Sequence, residues 1–189
     1  MAWQVDPTRT SLTFEIRNLG LDVVRGVFDD FAVALRAPAG DAPFLAFDLR
    51  IQAGSLATGN PERDAKLTGP DFLDAARYPL ILFVADRLEP LPDFLHSLAK
   101  LHGDLRLRDE TRPVEWRIEL NSSAEHSNVE TEAVFVDTLE IEPAEWGIGH
   151  HIPLVGPKLK LILRFIAIDA GEFDITPAGP PPNAPPSQA

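Results

Sequence analysis

The residues able to do acid–base, nucleophilic or metal chemistry are few and poorly grouped. The chain has five histidines and no cysteine, which excludes thiolate nucleophiles, thiolate zinc sites, iron–sulfur clusters and disulfides together. His150 and His151 lie in the loop from Gly147 to Gly156. On a strand their rings would point to opposite faces, whereas in a glycine-rich loop both could converge on a metal. Glu145 is the sole nearby carboxylate at ligand spacing, so the pattern assigns no metal site. His96, His102 and His126 are scattered and expected to face solvent. Asp29-Asp30 and the series Glu140, Glu142 and Glu145 are the candidate carboxylate pairs, yet their spacing suits exposed turns and strands. There is no Gly-x-Ser-x-Gly elbow, phosphate-binding loop or dinucleotide fingerprint. No catalytic residue is assigned, no cofactor is expected, and the chain does not read as an enzyme.

One charged pair remains. Arg63-Asp64 has two readings: a buried pair pinning a helical segment, or a contact to the head group of a ligand. The wider charge balance, 29 acidic against 17 basic residues for a net −12, repels phosphate backbones and anionic membrane surfaces. No nucleic-acid partner is expected. No apolar run approaches the roughly 18 residues of a membrane span. The start, Met1-Ala2-Trp3-Gln4-Val5-Asp6, has no basic region and no apolar signal core, so the expectation is a cytoplasmic protein.

The elements that would position these groups are mostly strands. With 189 residues, 44% of them hydrophobic, the chain can bury one substantial core. Residues 1–170 read as one domain and 171–189 as a proline-rich disordered tail, with six prolines and no charge between Thr176 and Ala189. Within the domain the dominant period is two. Leu12, Phe14 and Ile16 alternate with polar residues, as do Phe31, Val33 and Leu35, then Phe47, Leu49 and Ile51. Leu101, Gly103, Leu105 and Leu107 follow the same rule, and so do Val114, Trp116, Ile118 and Leu120. Leu80–Leu88 is nearly continuous apolar, as for a strand covered on both faces. Val129–Ile141 and Leu159–Ile168 complete the set, the last with Ile162, Ile166 and Ile168 on a second face expected to lie under the helical insertion. That insertion spans about residues 60–77. Asn60-Pro61 caps a helix, Gly69-Pro70 ends it, Asp71–Asp74 suggests a second short turn of helix, and Tyr78-Pro79 leads into the next strand.

The fold class is therefore mainly β: an eight-stranded antiparallel, lipocalin-like barrel with one short helical insertion. A two-layer sandwich is the alternative. Eight strands stand at the boundary between a lumen filled by side chains and one that admits a ligand. The inward residues are Leu, Ile, Val, Phe and Ala, so a guest must be largely hydrocarbon. Burying one five-carbon isoprene unit stabilises by roughly 3–4 kcal/mol, against an association cost on the order of 4–15 kcal/mol. Long chains are favoured.

The run Thr58-Gly59-Asn60-Pro61-Glu62-Arg63-Asp64-Ala65-Lys66-Leu67, followed by Asp71-Phe72-Leu73-Asp74, Tyr78-Pro79 and Phe83, resembles the YceI-like family. Trp3–Asp6 with Ser11 and Phe14, Gly26-Val27-Phe28, Gly103-Asp104-Leu105 with Thr111–Val114, and Trp146-Gly147-Ile148 agree in order and spacing. The resemblance covers about residues 3–168. It implies a lipocalin-like barrel that binds polyisoprenoids or related long-chain amphiphiles. Four places depart from the family pattern: Lys66 stands at a usual histidine, Arg108-Asp109 at a usual His-Gly pair, Pro143 at a usual arginine, and Trp146 at a usual phenylalanine. They alter the polar contacts that the resemblance implies for a ligand head group and leave the barrel's apolar alternation, which implies a diverged member whose ligand can differ.

Together these readings assign a lumen of Phe14, Ile16, Phe47, Leu49, Phe83, Leu105, Trp116, Ile118, Phe135, Trp146, Leu161 and Leu163, under a lid of Phe72, Leu73 and Tyr78. Arg63 and Asp64 are the head-group or lid-pinning residues. The expected partner is a long-chain isoprenoid or fatty amphiphile, and a homodimer is left open. The competing function is a barrel with a filled core that binds proteins through its tail or loops.

Overall fold

The computed structural model describes residues 3–18, 23–36, 46–90, 97–121, 132–148 and 155–169. Each alternating run forms the expected strand. These are β2 (Ser11–Asn18), β4 (Phe31–Arg36), β5 (Ala46–Gln52), β7 (Leu80–Pro90), β8 (Ser97–Leu107), β9 (Glu110–Asn121), β10 (Glu132–Ile141) and β11 (Val155–Asp169). Three short strands were not expected: β1 (Trp3–Val5), β3 (Val23–Phe28) and β6 (Leu56–Ala57). The reason is local. Arg25-Gly26 interrupts the alternation in β3, and two residues of β6 are too few to show a period.

All pairings are antiparallel, in the order β4-β5-β7-β8-β9-β10-β11-β2-β3-β6, with β1 beside β11. The two ends of this path are parts of the same two chain stretches. β3 runs into β4 across a bend at Asp29-Asp30, and β5 into β6 across a 3-10 turn at Ala53–Ser55. Phe28 pairs with Leu56 on one side of the bend and Phe31 with Ile51 on the other. Between them the Asp29 N–H donates to Ser55 O at 3.3 Å and the Gln52 N–H to Asp30 O at 2.9 Å. The curled sheet thus meets itself through two bent strands, and counting each as one while setting β1 aside restores the eight expected. The remaining seams have covers, as exposed sheet edges require: β1 approaches β4, and α1 (Pro61–Thr68) approaches β6.

Three expectations need correcting. Residues 71–73 form hydrogen-bonded turns rather than a second piece of helix, because Gly69-Pro70 breaks the ladder and Asp74 takes a left-handed φ of 47°. The outer face of β7 is open to solvent, with Val84 46% exposed; its apolar run does not mark a strand covered twice. On the outer face of β11 Ile166 is buried, but α1 lies against β6, while the segments that approach β11 are the 3-10 turns Pro7–Arg9 and Pro143–Trp146.

Inward side chains divide the interior into two halves. Leu12, Leu49, Phe83, Leu101, Trp116 and Leu163 are among the most deeply buried and fill one half. There Phe83 meets Trp116 edge-on, ring centroids 5.0 Å apart. Gly103 lies in the same region because a Cβ would come within 2.3 Å of the Val84 carbonyl, beside the bulge between Ala85 and Arg87. The other half lies under the helical excursion.

Candidate functional site

The excursion is held by its own sequence. The Asn60 side chain accepts from the backbone N–H groups of Glu62 at 3.1 Å and Arg63 at 3.2 Å, and Pro61 occupies the first helical position. After Gly69 the chain folds back on itself: the Leu73 N–H donates to Leu67 O at 3.1 Å, and the Tyr78 N–H to Asp74 O at 2.8 Å. Thr58 is the anchor. Its N–H donates to Asp64 Oδ1 at 2.9 Å and its hydroxyl donates to the same oxygen. Arg63 Nε donates to the Thr58 hydroxyl at 2.7 Å and Nη2 to the Thr58 carbonyl at 3.0 Å. Arg63 and Asp64 thus tie the excursion to β6, and neither lines the space beneath it.

That space is a cavity of about 90 Å³ lined, among the described residues, by seventeen side chains, every one apolar. Leu67, Phe72 and Leu73 come from the excursion; Pro143 and Ile148 come from a 3-10 turn (Pro143–Trp146) and the residues after it. The rest project inward from strands, among them Phe14, Ile16, Ile51, Leu105, Leu139 and Leu161. Among the described residues the walls offer no hydrogen-bonding side chain, so a polar atom placed against them would lose its hydration without replacement. Hydrocarbon would not.

Six of the expected residues line this cavity: Phe14, Ile16, Phe72, Leu73, Leu105 and Leu161. Leu49, Phe83, Trp116, Ile118 and Leu163 do not; they face inward but further along their strands, where they pack against one another. Tyr78 is half-buried at the rim, with the guanidinium carbons of Arg77 and Arg108 at 5.1 and 5.6 Å from its ring centre. Trp146 is buried at the same rim, its Nε1 donating to Leu105 O at 3.4 Å. The side chains of Phe47 and Phe135 lie outside the described residues, as do His96, His126, His150, His151 and the tail.

The residues not anticipated fall into two sets. Ile51, Ile81, Leu107, Leu139, Ile141 and Leu159 belong to strand runs already read and Leu67 to the capped helix, so following the assigned faces along those elements would have found them. Phe28, Leu56, Pro143 and Ile148 come from short or irregular segments with no period.

Shifted carboxylates sit elsewhere. Hydrogen bonds from the Thr8 hydroxyl and then Arg9 hold Asp6 at about 2, below its ordinary 3.8. Lys100 lowers Glu115 and Lys160 lowers Glu140, in each case by a side-chain hydrogen bond. His102 Nε2 lies 2.8 Å from Glu89 Oε2. Among the described residues no three His, Asp or Glu side chains gather as metal ligands would.

The model of the YceI-like domain matches residues 3–167. The chain belongs to the YceI-like family. Among curated relatives, a UPF0312 protein of Pseudomonas syringae pv. syringae is 30% identical over 101 residues, covering 53% of this chain and 51% of the relative. A UPF0312 protein of Staphylococcus aureus is 30% identical over 116 residues, 61% of this chain and 63% of the relative. The matches therefore span about half to two-thirds of those relatives' length. Among solved structures, BcnA of Burkholderia cenocepacia superimposes with a TM-score of 0.73 at 16% identity, covering 86% of this chain and 99% of BcnA. A polyisoprenoid-binding domain from Saccharophagus degradans gives 0.66 at 13% identity, covering 88% and 98%. These two show that the fold is shared. No helix among the described residues is long and apolar enough to cross a membrane.

Proposed function

We propose that this YceI-like protein binds the hydrocarbon chain of a long-chain isoprenoid or similar amphiphile in its apolar cavity, without catalysing a reaction on it. The observation that carries this reading is the lining: seventeen apolar residues and no acid, base or nucleophile among them. The polyisoprenoid-binding domain of the same fold supports it. A cavity of about 90 Å³ is smaller than the roughly 150 Å³ that admits a benzene ring, so a chain of several isoprene units needs more room. The excursion is the part that can yield: its helix has no buried residue, and it meets the interior through Leu67, Phe72 and Leu73. Displacing these three would lengthen the cavity at little cost to the sheet.

The test is to purify the protein without detergent, extract it with organic solvent and identify released lipid by mass spectrometry. Leu161→Asp, which puts a charge on the cavity wall, is expected to remove the lipid, while the Glu62→Gln variant on the exposed helix surface retains it. Equal recovery from both variants, or no lipid from the parent protein, refutes the reading.

A further inference from the structure

We propose that the rim above the cavity, formed by Arg77, Arg108 and Arg112, is a subsite for an anionic head group, a carboxylate or phosphate ester whose chain occupies the cavity. This deepens the binding function proposed above and rests on it. Three elements meet at the rim. The excursion brings Arg77 and Tyr78, the β8–β9 turn brings Arg108, and the 3-10 turn brings Trp146 and Gly147. Each also supplies cavity wall, through Phe72 and Leu73, Leu107, and Pro143 and Ile148 respectively.

The arginines are held by aromatic rings rather than by carboxylates. Arg77 and Arg108 share Tyr78, and Arg112 lies 5.8 Å from the centre of Trp146. Among the described residues none of the three forms an ion pair, although Asp109 and Glu110 occupy the same turn. Arg112 pairs with Leu105 across the β8–β9 ladder. Residues opposite one another share a face of the sheet, and Leu105 lines the cavity, so Arg112 starts from the interior side. Arg108 carries the sharpest signal. Its Nε is buried without an acceptor, and its Nη1 has a long 3.4 Å contact to Gly147 O. A buried guanidinium N–H calls for a partner, and a carboxylate or phosphate suits its planar fork.

The overall charge of −12 makes this concentration of unpaired cations more telling, since a protein of that sign does not attract anions in general. The apolar wall adds direction. A head group cannot enter the cavity without losing its hydration, so the chain goes in and the charge stays at the mouth.

The experiment loads the full chain with the neutral dye N-phenyl-1-naphthylamine and displaces it with dodecanoate, dodecyl phosphate or dodecanol. The parent protein is expected to release dye at about tenfold lower concentration of an anion than of dodecanol, the scale of a charge-assisted hydrogen bond. Whichever anion shows the larger ratio names the head group. In the double variant Arg77→Gln, Arg108→Asn the ratio is expected to fall to about one while the dodecanol midpoint stays. Asparagine is chosen because Arg108 has a φ of 59°, which asparagine tolerates. Arg77→Gln alone, at an exposed position, is expected to lower the ratio in part. Equal potency of the three compounds in the parent protein, or a ratio that survives the double variant, overturns the head-group subsite and leaves chain binding intact. Failure of all three to displace the dye overturns both.

Discussion

The two halves of the barrel interior are built from the same strands and the same residue types, yet one is solid and the other hollow. On β11, Leu163 and Phe165 pack in the solid half while Leu159 and Leu161 line the cavity. On β7, Phe83 is packed and Ile81 faces the space. The solid half has Trp116 and Phe83 meeting over β8, the strand between theirs, and it is flanked by β1, which pairs with β11 and approaches β4. The cavity half is walled mainly by Leu and Ile and roofed by an excursion whose helix has no fully buried residue and reaches the interior only through the partly buried Leu67. An interior at close-packed density resists change, whereas one that retains a gap can admit an extra group.

The strongest way to break this contrast is to hollow the solid half. Trp116→Ala is expected to destabilise the fold by about 3–5 kcal/mol, read from urea unfolding, with loss of cooperative folding at the upper end. A cost under about 1 kcal/mol would mean the solid half is not solid.

A middle-sized effect sharpens it. Leu163→Phe adds volume where none is free and is expected to cost about 1–3 kcal/mol, while Leu161→Phe, two residues away and facing the cavity, costs less than about 1 kcal/mol. The same Leu161→Phe variant should carry less extracted lipid. Similar penalties for the two would show the halves to be packed alike.

The smallest effect concerns the segment leading out of β1. Asp6 caps the 3-10 turn Pro7–Arg9, and its N–H donates to Ile166 O at 2.9 Å. Its folded value, about 2, lies below the ordinary 3.8. The stability it adds is therefore complete above the unfolded value and is lost as pH falls through that interval. Parent and Asp6→Asn proteins should differ slightly in urea midpoint at neutral pH and converge by about pH 2. A constant difference across that range would show that the carboxylate is not responsible.

Much of this was legible from residue patterns. Alternation marked five of the eight expected strands and their inward faces, apolar runs marked the other three, and Asn60-Pro61 with Gly69-Pro70 set the helix limits almost to the residue. Of the candidate site, Phe14, Ile16, Phe72, Leu73, Leu105 and Leu161 were found and Leu49, Phe83, Trp116, Ile118 and Leu163 were placed in the wrong half. Period two says which face a residue takes but not how far along the barrel it lies. The gathering of Arg77, Arg108 and Arg112 on Tyr78 and Trp146 had no such signal, because it joins residues from three separate elements.

The chain's own order of apolar and polar residues determined an antiparallel barrel with an oily interior and one capped helix, because these follow from local periodicity and capping. Where that interior is empty was decided by tertiary structure alone. Strand register sets which side chains share a level, and whether their volumes fill it depends on partners as distant in sequence as Phe14 and Leu161.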